Sequence, residues 1–116
     1  MAGKDSNTIP RSYSRYNREA VRLLGRLIRS HRIERRLSVE ALATRAGISR
    51  DMMHRIEKGD PRCAIGLMFE AAAIVEVVLF DSEPGRLAEQ LAAQEAKLRL
   101  LPKAVHQPRT EVKDDF

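Results

Sequence analysis

Arg50, Asp51, His54 and Arg55 lie in a short segment, Ser49 to about Lys58, where helical spacing sets all four on one outward face. Two guanidinium forks, a carboxylate and an imidazole make a face suited to hydrogen bonding with another molecule, and arginine is the side chain best shaped for phosphate and guanine. Met53 and Ile56 fall on the opposite, inward side. Ser49 reads as the N-cap of this helix, one residue after an apolar Ile48. Ahead of it, Ser38 reads as the N-cap of a helix with Leu42, Ala43 and Ala46 inward, ended by Gly47, which accepts the positive φ of a tight helix-to-helix turn. Ala43 is small where two steeply crossed helices must approach closely. The stretch from Leu37 to Pro61 is thus written as two helices over a short turn, the second built to enter a DNA groove.

These residues resemble the Cro and lambda-type repressor family, also called the XRE family of helix-turn-helix regulators, over roughly Leu23 to Phe80. The resemblance implies an all-α, five-helix, lambda-repressor-like DNA-binding domain with tails at both ends. It implies base contacts from Arg50, Asp51, His54 and Arg55, and DNA backbone contacts from Ser49 and Arg45. It also implies a salt bridge between Arg32 of the first helix and Glu57 near the end of the third, with Gly47 and Ala43 as structural positions. The chain departs from the pattern at Val39: the family has a glutamine there that clamps a phosphate, and valine cannot donate a hydrogen bond.

At 116 residues the chain has room for one domain with tails and not for a separate catalytic domain. Lys and Arg number 21 against 16 Asp and Glu, and the excess is uneven. Residues 1–62 carry 15 basic and 7 acidic side chains (+8), whereas residues 63–116 carry 6 and 9 (−3). A basic half around the helix-turn-helix fits a polyanion, because neutralised phosphates release counterions. The competing account is a solvated arginine face. Cys63 is the single cysteine, which excludes a disulfide framework, suits a reducing cytoplasm and points to a small buried hydrophobe. His31, His54 and His106 lack metal-ligand spacing, so neither a metal nor a cofactor is expected. The longest apolar run, residues 71–80, contains Glu76 and is too short to cross a bilayer, and the N-terminus is polar, so a cytoplasmic protein without membrane contact is expected.

Residues 1–16 mix Gly, Ser, Asn, Pro and Arg without periodicity and are expected to form a flexible arm. Arg11, Arg15 and Arg18, with Tyr13 and Tyr16 among them, either follow the DNA backbone or dip into a minor groove, or do nothing. The domain proper is expected over residues 17–80. Its first helix runs from about Asn17 to Arg36 with Ala20, Leu24, Leu27, Ile28 and the Arg32 stem inward, and its fourth starts near Ile65 and carries Leu67, Met68, Ala71, Ala72 and Val75. Glu76 stands where the family ends this helix on glycine, so either the helix extends or the turn is strained. Val77, Val78, Leu79 and Phe80 form an apolar cluster, and Asp81-Ser82-Glu83-Pro84 opens a C-terminal helix within residues 81–100 that carries Leu87, Leu91 and Leu98 on one stripe. That stripe either packs on the domain's own core or, with Val77, Leu79 and Phe80, forms a homodimer or partner contact. Residues 101–116, which end on Phe116, are expected to be disordered alone.

No nucleophile, base or phosphate-loop constellation is present, so an enzyme is not expected. GDPRCAIG after the third helix, Leu-Pro-Lys after the fifth and the terminal Lys-Asp-Asp-Phe resemble antitoxin regulators paired with HipA-type kinase toxins. The resemblance implies a dimer that represses its own operon and binds the toxin. Two alternatives stand beside it: a stand-alone phage-type or metabolic repressor, and a helix-turn-helix adaptor that does not touch DNA.

Overall fold

The computed structural model describes residues 12–105. Five helices follow one another: α1 (Arg15–Glu34), α2 (Val39–Ala46), α3 (Arg50–Lys58), α4 (Ile65–Ile74) and α5 (Pro84–Leu100). The chain divides after Val78 into two compact units, α1 to α4 in the first and α5 in the second.

In the first unit α1 packs against α3 and α4, and α2 packs against the same two helices. Ile28, Leu42, Met53, Ile56 and Val75 are fully buried between them, joined by Ala43, Met68, Ala71 and Ala72. Each such large side chain removed from water contributes about 1.5–3 kcal/mol, an upper figure since the unfolded chain already hides some of it. Ala43 is small for the reason its position suggested: it is buried in the α2 face that meets α3 and α4.

Two glycines let α1 lie against the end of α3. A Cβ on Gly25 would sit 2.4 Å from the Ile56 carbonyl oxygen and 2.8 Å from that of Glu57. A Cβ on Gly59 would sit 2.5 Å from the Arg22 Cα, and Gly59 also has φ +79°, closing α3 in a left-handed turn in which the Asp60 N–H donates to the Arg55 carbonyl. Backbone meets backbone here, which no side-chain rearrangement can relieve.

The first helix differs from its expected bounds. It begins at Arg15, where the Ser14 hydroxyl caps the Asn17 N–H at 3.1 Å, and it ends at Glu34, where the Leu37 N–H folds back to the Arg32 carbonyl. Arg15 and Tyr16 therefore belong to the first turn of a helix and not to an arm, as Arg18 does further on, with Arg15 paired to Glu19 one turn on. The inward stripe is also rotated. Ala20 is exposed and Leu27 is 36% exposed, while Gly25 is buried. Apolar residues lie on two sides of α1, and the close contact with α3 at Gly25, not the count of leucines, decides which side turns in.

After α4 the chain takes the strained of its two expected courses. Glu76 has φ +63°, the Val77 N–H returns to the Ala72 carbonyl at 2.8 Å, and the Glu76 carboxylate accepts from Arg35 at 2.8 Å. A left-handed non-glycine residue costs about 1 kcal/mol. The His31 Nδ1 lies 3.0 Å from the Val75 carbonyl at the same helix end and so carries the proton of that hydrogen bond. Val77 is buried, at 8% exposure, which takes it out of the apolar contact surface expected for Val77, Leu79 and Phe80 together.

In the second unit, a tight turn at Leu79–Ser82 holds Phe80 and Asp81 at φ +56°. The Ser82 hydroxyl donates to the Phe80 carbonyl and accepts from the Gln90 amide. No described side chain of α5 is buried: Leu87 is half-buried, and Leu91 and Leu98 are 60% and 63% exposed. Arg11, His106 and Phe116 fall outside the described residues.

Candidate nucleic-acid interface

The position of α3 follows from its caps. The Ser38 hydroxyl accepts from the Ala41 N–H at 3.0 Å to start α2, and Gly47 ends it at φ +75° with the Ile48 N–H returning to the Ala43 carbonyl. Two residues later the Ser49 hydroxyl accepts from the Met52 N–H at 3.1 Å and starts α3. Since that hydroxyl only accepts in the cap, its own proton remains to be donated outward.

The end of α3 is fixed by a buried ion pair. Arg32 Nε and Nη2 donate to Glu57 Oε2 and Oε1 at 2.6 and 3.0 Å, and Nη1 donates to the Leu37 carbonyl at 2.8 Å. One guanidinium thus ties α1 to α3 and to the turn that enters α2. Both side chains are buried, and Arg29 approaches the same carboxylate at 3.8 Å. A pair this well satisfied tolerates burial, whereas either member alone would be an uncompensated charge.

On the outward face, Arg50, Asp51 and Arg55 are exposed and His54 is partly covered. Arg50 reaches across to α2, its Nη1 lying 3.3 Å from Glu40 Oε2. Arg55 stands near the turn after α3, where its charge helps hold the Asp60 carboxyl low. The larger causes there are the side-chain and backbone hydrogen bonds from Arg62, whose N–H meets Asp60 Oδ1 at 2.9 Å. Cys63, expected to be buried, is only partly so; burial and the Asp60 charge push its thiol up, which keeps it protonated. Lys58 is exposed one turn beyond His54 on the same helical face, and helical periodicity alone would have placed it there. Glu40 was also missed, because its relation to Arg50 depends on how α2 and α3 cross and leaves no trace in the spacing of either helix.

Of the expected backbone contacts, Ser49 and Arg45 are exposed in the first unit, and Arg15 and Arg18 are exposed on α1. Val39 opens α2 with no side-chain donor. Among the described residues no group of His, Cys, Asp and Glu is arranged to hold a metal, and no helix is long and apolar enough to cross a membrane.

Two capped helices over a tight left-handed turn, the second presenting a polar outer face, define a helix-turn-helix domain, a class of DNA-binding module. Consistently, residues 23–77 match the family model described as a helix-turn-helix domain, over the span from the middle of α1 to the turn after α4. No curated protein and no solved structure matches the chain significantly.

Proposed function

We propose that the chain is a sequence-specific DNA-binding transcriptional repressor that acts, as a homodimer in the cytoplasm, as the antitoxin of a type II toxin–antitoxin system, repressing its own operon and binding a HipA-type kinase toxin. The observation that carries the DNA reading is the rigidly capped α3 with Arg50, Asp51, His54 and Arg55 facing outward in the basic half of the chain. Those four residues read base edges. Ser49 and Arg45 hold phosphates, joined by Arg15 and Arg18 from the start of α1 and by Arg11 ahead of it. At Val39 the family's side-chain clamp is replaced by the backbone N–H groups that open α2, which favour an anion at a helix start.

Dimerisation rests on the exposed leucines of α5, which add to the exposed Phe80 an apolar surface that a monomer leaves in water. A dimer places two recognition helices about 34 Å apart on one side of the duplex. Leu79, Leu87, Leu91 and the terminal Phe116 form the contact with the second copy or with the kinase. The kinase reading rests on the resemblance of the segments after α3 and α5 and of the C-terminal Lys-Asp-Asp-Phe. A pull-down of full-length protein from its native cells, beside a version truncated after Leu101, tests it. Recovery of a kinase-like protein with the full-length bait and its loss on truncation are expected; recovery of DNA without a kinase favours the stand-alone repressor.

A further inference from the structure

Glu40 stands in the first turn of α2 and Arg50 opens α3, and the crossing of these helices brings Glu40 Oε2 to 3.3 Å from Arg50 Nη1. Both side chains are open to water, at 63% and 61% exposure, so the pair adds little to folding stability. Yet a carboxylate beside a helix that meets a polyanion repels it, and this one is spent on the arginine best placed to reach a base. We propose that Glu40 is a positioning residue that makes Arg50 a reader of guanine and not a general phosphate contact. This inference rests on the DNA reading above.

The chemistry follows from which corner of the guanidinium faces the carboxylate. With the Nη1 corner turned toward Glu40 in an ion pair, the guanidinium keeps its Nε and Nη2 edge, two parallel N–H donors of the kind that match O6 and N7 of guanine. A guanidinium held at one corner has fewer orientations to lose when it docks. Its charge is meanwhile offset by the neighbouring carboxylate, which weakens attraction to any phosphate while leaving the directional hydrogen bonds in place. Discrimination is a difference between right and wrong sites, and Glu40 widens it from both sides.

The test is a binding selection on a library of randomised DNA duplexes with the full-length chain as wild type, Arg50→Ala, Glu40→Ala and Glu40→Gln, each first shown by thermal melting to be folded. The wild type should enrich a motif in which one guanine position is lost in Arg50→Ala. Glu40→Ala should flatten that same position, its preference for guanine falling about tenfold, with the remaining positions unchanged. Glu40→Gln, which keeps the length of the side chain but not its charge, should fall between. On random duplex, Glu40→Ala should bind more tightly and with a salt slope steeper by up to about 0.9, as the freed guanidinium takes a phosphate. A guanine preference unchanged in Glu40→Ala overturns the proposal, as does a change confined to a different position, which would make Glu40 itself the reader. If the wild type enriches no motif while all variants are folded, the DNA reading fails and this inference with it.

Discussion

The apolar residues of α3 and of α5 are spaced alike and end differently. Met53 and Ile56 of α3 are completely buried and leave a polar outer face, whereas α5 carries leucines at a regular stripe and buries none of its described side chains. Periodicity reports that a helix has an apolar side; it does not report what covers that side. In α3 the cover comes from α1 and α2 of the same chain, fixed by Gly25 and by the Arg32–Glu57 pair. For α5 we have proposed that it comes from a second copy or a partner. A helix whose apolar side is covered within its own unit leaves its polar side outward, and one whose apolar side is not covered leaves that side open.

Substitutions that unfold the first unit without touching the second should show the largest effects. Glu57→Ala leaves Arg32 buried with no counter-charge and should cost about 3–5 kcal/mol, read as a large fall in denaturation midpoint. An unchanged midpoint would mean that the pair does not support the fold. Gly25→Ala drives a methyl into two carbonyl oxygens of α3 and should cost about 3 kcal/mol, since the helices must separate. The converse case sharpens the contrast: Leu91→Asp should leave the melting of the first unit unchanged yet shift the sedimentation of the full chain from dimer to monomer. A loss of thermal stability with no change in mass would place the leucine in the chain's own core.

Two smaller effects concern the turns that bound the first unit. Glu76→Gly relieves the left-handed strain at the end of α4 but gives up the exposed Arg35 pair, for a net gain of about 0.5 kcal/mol by chemical denaturation. At the other turn, Arg62 holds the Asp60 carboxyl below its ordinary value of 3.8. A lowered carboxylate favours the folded state at pH values above that ordinary value, and the contribution disappears as pH falls through the lower folded value. Asp60→Asn should therefore be less stable than wild type at neutral pH, with the gap closing in acid. A gap that persists below that range would assign the effect to packing.

Much of this was legible in the residues. Ser38, Gly47, Ser49 and Gly59 mark helix ends by chemistry that acts within a few residues, and α2 and α3 fall where those signals put them. The Arg32–Glu57 pair, 25 positions apart, came from the family resemblance and not from spacing. What stayed hidden depends on contacts between helices: the turned face of α1, the need for Gly25, the burial of Val77 and the reach of Glu40 to Arg50. The start of α1 was missed for a different reason, since the polar composition around Ser14 masked a cap that local chemistry does encode.

The central claim, that the outer face of α3 binds DNA, is tested most directly by titrating the full-length chain into a fluorescent random-sequence duplex at several salt concentrations and reading anisotropy. The account predicts binding that weakens steeply, by about 0.9 log units per log unit of salt for each phosphate neutralised. Failure to bind duplex DNA even at about 50 mM salt, where a phosphate-driven complex is strong, would contradict it and leave a helix-turn-helix used to hold another protein.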